Sequence, residues 1–396
     1  MAGFDGRPSP EVSNYLRNKG WRPSFDWRDT WGTEHAHAFT VAKAMQMDVL
    51  SSIRGAVQDA IDQGQTFEAF EKGLTPKLQE LGWWGRRDMV DPKTGRVVRA
   101  QLGSPRRLRI IYNANIRTAR AAGQWERAWR TRAALPYLLY ELGPSERHRP
   151  EHVSWAGTVL PIEDPWWQTH MTPNGWECKC RVRQLSRTEA QRRGISGRPA
   201  GDMVKWHNKR TGQTEMVPRG IDPGWATNPG LARSRGLTDH LAGKLDAADP
   251  AIAAAAARDL VTSWRATALM AGDLPGEVPI AVIPPTLEEA LGTAVRVIRL
   301  SDYTAEKSRR KHPDVGVDDW LMVQALIDRG EALRDGTNHL VFQGLDEMGR
   351  IWRAVIKATK AGDRLYLATL HRITETQRVN GRLRAAEVLR EELGRE

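Results

Sequence analysis

Cys178 and Cys180 are the only two cysteines in a chain of 396 residues, and His148, His152 and His170 stand close to them in sequence. Thiolate sulfur and imidazole nitrogen are the donors tetrahedral zinc favours. Cys178, Cys180 and His152, completed by His148 or His170, therefore make a candidate zinc site. Four protein ligands would make it structural, with no open position for chemistry. The single residue between the thiols gives them less freedom to turn inward together than a Cys-x-x-Cys pair has. A second reading buries both thiols among Trp155, Trp166, Trp167 and Trp176, with His152 hydrogen-bonded to backbone. A third pairs a catalytic thiolate with an imidazole, although no nucleophile motif surrounds either cysteine. A bridge between Cys178 and Cys180 would be strained, so both are read as reduced.

A second set of reactive types lies near the C-terminus. His312 follows the basic run Lys307-Ser308-Arg309-Arg310-Lys311. Arg353 and Lys357 sit four apart in one alternating run, and Thr369 and His371 two apart in the next, so each pair projects from one face of a strand. The plain alternative is that they decorate the solvated face of a half-buried antiparallel sheet.

The elements that must position these groups follow from periodicity. Residues up to about Trp31 read as an irregular arm with spaced aromatics. Phe39, Ala42, Met45, Val49, Ile53 and Val57 recur at helical steps, predicting a helix from Glu34 that Gly64 stops. Thr66 caps a second helix with Phe67, Phe70, Leu74, Leu78 and Leu81 inward. The turn-rich stretch 85–104 suits a hairpin tip or a mobile loop, and Pro105 opens a long helix to about Arg132. Tyr137–Tyr140 reads as a strand, Asn174-Gly175 as a tight turn with Trp176 packed inward, and Trp206–Thr214 as a small hairpin.

Residues 231–275 read as Ala-rich helix, and Ile280–Pro285 as a Pro-rich linker. Helices follow at Asp302–Lys311, capped by Ser301, and at Val317–Leu333. Strands are expected at His339–Gln343, Ile351–Ala358 and Leu365–His371, with a fourth at Val295–Leu300. A charged helix with a seam of Val379, Leu383, Ala386, Leu389 and Leu393 is expected from Thr374 to Glu396.

Arg149-Pro150-Glu151-His152, Gly157, Asp164-Pro165-Trp166-Trp167 and the run Pro173-Asn174-Gly175-Trp176-Glu177-Cys178-Lys179-Cys180-Arg181-Val182 follow one another within residues 141–186. In order and spacing this resembles the signature of the phage Mu F-like minor head proteins, which act in head morphogenesis of tailed phages. The Pro/Gly turns at 218–225 and 228–230 share the resemblance, which spans about residues 35–235. It implies a virion component inside the head, made in the host cytoplasm, with portal and capsid proteins as partners and packaged DNA nearby.

The layout of residues 295–375, two helices and then an antiparallel meander, resembles the small RNases of the barnase, EndoU, colicin and RelE group. That group is also found fused to Mu F-like proteins. The resemblance implies metal-independent RNA cleavage, with His312 or His371 as base or acid. Lys307, Arg353 and Lys357 would clamp phosphate, and Thr369 would donate to the scissile phosphate.

The fold class expected is α+β and multidomain. An irregular arm (1–33) precedes a helix-rich head-morphogenesis domain with a small loop-rich α+β lobe (34–235). An Ala-rich helical connector and Pro-rich linker (236–290) lead to a C-terminal domain of two helices, an antiparallel four-stranded sheet and a terminal helix (291–396). Lys and Arg number 59 against 48 Asp and Glu, a net charge of +11. That favours a polyanionic partner, while a solvated basic surface or an acidic protein partner fits the same numbers. No run is long and apolar enough for a membrane span, and no cofactor beyond the zinc is expected. A virion-delivered RNase toxin and a non-virion basic nucleic-acid-binding protein are the alternative functions.

Overall fold

The computed structural model describes residues 8–391. The chain divides into two compact units at Gly236/Leu237, and both mix helix and sheet, so the class is α+β and multidomain. Among the described residues no helix is long and apolar enough to cross a membrane.

The first unit opens with α1 (Pro10–Arg17), β1 (Gly20–Trp21) and β2 (Ala38–Phe39), followed by α2 (Met47–Gln63) and α3 (Phe67–Glu80). The hairpin of β3 (Arg86–Val90) and β4 (Val97–Gln101) leads into the long α4 (Pro105–Arg130). Gly64 ends α2 in the left-handed region, and the Thr66 hydroxyl accepts from the Ala69 N–H to start α3. Val49, Ile53 and Val57 of α2, Phe70, Leu74 and Leu78 of α3, and Leu108 and Ile116 of α4 share one core.

Two expectations change here. The arm expected to be irregular contains α1, whose Val12, Tyr15 and Leu16 are buried in that same core. The helix expected from Glu34 begins only at Met47. Residues before it form a short 3-10 turn and β2, which pairs in parallel with β1. Phe39 is buried from extended backbone while Met45 is exposed, so the 39/42/45 spacing never formed a helical face.

A smaller lobe of the same unit comprises β5 (Tyr137–Glu141), α5 (Pro150–Trp155), β6 (Val159–Pro161), α6 (Trp167–His170), β7 (Arg181–Leu185), α7 (Arg187–Arg193) and the hairpin β8 (Met203–His207) and β9 (Thr214–Pro218). Its antiparallel sheet runs β6-β5-β7. Trp125 and Trp129 from α4 join Tyr140, Trp155, Trp166 and Trp167 in its core. The next helix, α8 (Pro229–Ala247), carries the chain across the division between units.

The second unit holds α9 (Pro250–Val261), α10 (Trp264–Ala271), β10 (Glu277–Val282), α11 (Glu288–Leu291), β11 (Val297–Ser301), α12 (Asp302–Lys311) and α13 (Met322–Arg329). It continues through β12 (Glu331–Asp335), β13 (His339–Leu345), β14 (Ile351–Ala358), β15 (Leu365–Ile373), α14 (Glu375–Arg384) and β16 (Glu387–Arg390). The four-stranded antiparallel sheet expected here is in fact seven-stranded, in the order β10-β11-β15-β14-β13-β12-β16. It is also mixed, because β11 and β15 run parallel.

The extra strands come from segments read otherwise. The supposed linker supplies β10, buried along its whole length. The helix expected to reach Leu333 stops before Gly330, and Leu333 lies in β12. The charged terminal helix ends at Arg384 and gives way to β16, while Leu393 of its expected seam lies outside the described residues. Val379 and Leu383 face solvent, so no apolar seam forms. The Ala-rich segment is no connector either, since Val261, Ala266, Leu269 and Met270 are part of this unit's core.

Candidate functional site

His152 sits in the first turns of α5, which Pro150 starts, and it is buried. Its Nε2–H donates to the Gly220 carbonyl at 2.9 Å. That bond fixes the tautomer and leaves Nδ1 as a lone pair. Nδ1 faces Cys180 Sγ at 3.5 Å and Cys178 Sγ at 4.0 Å. The three donor atoms all lie within 4.8 Å of one another. The His152 ring stacks on Trp155, with centroids 5.0 Å apart.

Several contacts hold the cysteine loop to this imidazole. A Cβ on Gly143 would lie 1.7 Å from the Lys179 carbonyl oxygen, so only glycine lets the backbone between the two cysteines approach so closely. Arg117 donates to the Cys178 carbonyl at 2.9 Å. Tyr140 donates to Asn174 Oδ1 at 2.9 Å, and Asn174 Nδ2 donates to the His170 carbonyl at 3.0 Å. One oxygen of Asp222 accepts from Arg149 at 2.8 Å and from the Trp176 N–H at 2.7 Å. Gly143, Tyr140, Gly220 and Asp222 escaped the sequence reading as site residues. Gly220 and Asp222 stood in the Pro/Gly turn at 218–225 that shares the resemblance, and Gly143 beside Pro144, but nothing local tied them to the cysteines.

The two thiols titrate as a pair. The hydrogen bond between them raises Cys178, with burial adding to that, and lowers Cys180 against its own burial, with His152 and Tyr140 assisting.

The four-ligand set expected from sequence does not assemble. His148 is bonded through Nε2 to the Gly143 carbonyl at 2.8 Å. His170 stacks on Trp166 at 4.3 Å, with Nδ1 engaged by Thr169 and the Trp166 carbonyl. Trp176, expected inside, is 40% exposed and meets Trp225 edge-on. A cavity of about 780 Å³ lies nearby, with Trp27, Trp31, Trp176, Trp225, Lys19 and His35 in its walls. Neither cysteine nor His152 lines it, which disfavours reading the thiol–imidazole cluster as a substrate-facing catalytic pair.

In the second unit the sheet brings another cluster together. Arg353 on β14 lies opposite His371 on β15, and Val355 opposite Thr369. The pairing then slips, because β15 carries one extra residue, Ala368. This bulge frees the Ala368 carbonyl, which accepts from Lys307 Nζ of α12 at 3.2 Å. His312, at the C-terminal end of α12, stacks on His371. Thr369 Oγ1 lies 3.3 Å from His371 Nδ1. Burial, then the charges of His312, Arg353 and Lys307, push His371 down to about 4, with Asp314 opposing. Arg353 donates to Gln343 at 3.0 Å and to the Gln377 carbonyl at 2.7 Å.

Five of the six residues expected to act on RNA thus lie around one spot. The sixth does not. Lys357 shares the Arg353 face but stands about 13 Å further along the strand, four residues at ~3.3 Å each, opposite Tyr366 and His339.

Residues 51–183 match the family described as Phage Mu protein F like protein. The matched segment is similar to the Mu F-like proteins. It encloses His152, Cys178 and Cys180, whereas the second unit lies outside the match. The chain is 38% identical over 244 residues to "Putative capsid assembly protein F" of Escherichia phage Mu, covering 57% of this chain and 55% of that protein. It is 40% identical over 172 residues to "Mu-like prophage FluMu F protein" of Haemophilus influenzae, covering 43% of this chain and 40% of the relative. The chain therefore spans about half the length of the curated relatives it matches. No solved structure matches the chain.

Proposed function

We propose that this Mu F-like chain is a head-assembly protein of a tailed phage or prophage, packed inside the virion head against portal and capsid proteins. The observation that carries the reading is the Mu F-like match over residues 51–183, joined to a relative whose name assigns it to capsid assembly. The net charge of +11 supports contact with packaged DNA, and such contact would be sequence-independent and weakened by salt. Mass spectrometry of purified particles tests the proposal. It predicts the chain in mature heads or proheads at low copy, and failed head formation when its gene is deleted. Particles of normal yield and shape lacking the chain would refute it.

The convergence around His371 supports a second activity in the same chain, cleavage of RNA without metal. His371, held neutral near pH 7, takes the 2′-hydroxyl proton. The 2′-oxygen then bonds to phosphorus, the bond to the 5′-oxygen breaks, and His312 returns a proton to that leaving oxygen. Lys307, Arg353 and Thr369 would donate to the phosphorane oxygens, Lys307 and Arg353 by exchanging their present carbonyl and amide acceptors. Incubating the full chain with RNA in excess chelator should give 2′,3′-cyclic phosphate and 5′-hydroxyl ends. His371→Ala and His312→Ala should each abolish them. Intact RNA after incubation with the folded chain removes this activity and leaves the head-assembly role untouched.

A further inference from the structure

We propose that His152 Nδ1 and the thiolates of Cys178 and Cys180 hold one zinc ion, with solvent in the fourth position. A tetrahedral zinc with bonds of about 2.3 Å to sulfur and 2.0–2.1 Å to nitrogen sets sulfur and nitrogen roughly 3.6 Å apart. The two distances here are 3.5 and 4.0 Å, so the ion fits between donors already in place, with shifts of a few tenths of an ångström.

The surroundings are those of a metal ligand set. The Gly220 carbonyl receives the Nε2–H of His152 and so aims Nδ1 at the sulfurs, the outer contact that orients a ligating imidazole and raises its basicity. Cys178 and Cys180 bring their sulfurs to the same imidazole nitrogen, at 4.0 and 3.5 Å. The Lys179 carbonyl between them rests against Gly143, which has no Cβ to hold that loop away. Cys178 is buried and Cys180 half-buried, so solvent in the fourth position would enter on the Cys180 side. A plain apolar core needs no such arrangement. One thiol hydrogen bond would satisfy Nδ1, whereas here both sulfurs lie within 4.0 Å of it.

The ion ties α5 to the loop before β7 inside the Trp-rich lobe. Its function is to fasten the lobe, since the cluster does not line the nearby cavity. The inference is independent of head assembly, because it is read on the isolated chain.

Full-length protein purified without chelator should carry about one zinc per chain. Cobalt replacement should give the near-ultraviolet thiolate-to-cobalt charge-transfer band and the intense visible bands of tetrahedral coordination. The double variant Cys178→Ser with Cys180→Ser should lose both metal and band. His152→Cys should keep the metal and shift the cobalt spectrum, which separates ligation from a loss of folding. Stripping the metal should make both thiols accessible to a disulfide reagent and lower the unfolding midpoint of the first unit. Folded wild-type chain that takes up neither zinc nor cobalt overturns the proposal, as does zinc retained by a folded double serine variant.

Discussion

The imidazoles of His312 and His371 stack with centroids 4.8 Å apart and planes 11° from parallel. Two rings this close cannot both carry charge without cost. Desolvation, then the charge of His312, lowers His371 to about 4 from an ordinary value of 6.5. The sign follows from linkage. Between those values the unfolded chain binds the proton and the folded chain does not, so stability is lost as pH falls from about 6.5 toward 4. Thermal midpoints across that window should fall on acidification. His371→Gln should make the pH slope shallower by up to one proton. An unchanged slope would mean that His371 is not the neutral partner.

Gly143→Ala should destabilise the Trp-rich lobe by on the order of 3 kcal/mol. The added methyl would overlap the Lys179 carbonyl, which is backbone and cannot swing aside. Urea unfolding of the full chain checks this. The test is sharp because the substitution removes no hydrogen bond, so a neutral result would show that the loop carrying both cysteines can move.

Arg210 joins three segments of the first unit. It reaches Asp29 at 2.6 Å and also pairs with Asp91, and its side chain is only 7% exposed. Arg210→Ala leaves two carboxylates without their cation and should cost about 3 kcal/mol. Arg198 bonds Asp164 at 2.9 Å but is 54% exposed, so Arg198→Ala should cost less than about 1 kcal/mol. Denaturant midpoints of the two variants measured side by side give the comparison.

Lys19 is buried with its amine 4.6 Å from the centre of the Tyr15 ring. Burial, then the charges of Arg233 and Arg54, lower it to about 7. A lysine shifted this way opposes folding most strongly below pH 7, and its penalty fades as pH rises toward 10.5. Lys19→Met should therefore raise stability at neutral pH by about 2 kcal/mol, with the gain shrinking in alkali. A gain that does not vary with pH would trace to packing alone.

How far the sequence could be read depended on whether a segment's partners were local. The Thr66 cap, the Gly64 stop and the strands read at 339–343, 351–358 and 365–371 rest on neighbouring residues, and they were legible. β10 was not, because Pro279, Pro284 and Pro285 look like a linker. The strand is tolerated because it lies at the sheet edge, with an irregularity just at Pro279, where a missing N–H removes no needed bond. The thiols and His152 stood out by residue type. That Gly220 aims the imidazole, or that Gly143 admits the Lys179 carbonyl, depends on chain returns no spacing rule encodes. His312 and His371 were both singled out, yet their stacking depends on where α12 ends, and the role of Lys307 on a bulge at Ala368 that alternation cannot foretell.

The parallel pairing of β11 with β15 sets an order of events during synthesis. β11 leaves the ribosome well before its partner, since α12, α13 and three strands are made between them. Until Leu365–Ile373 arrives, the inner edge of the β10–β11 pair offers unpaired backbone to any passing strand. Nascent chains of this protein crowded on one messenger would be most prone to pair with one another during that interval.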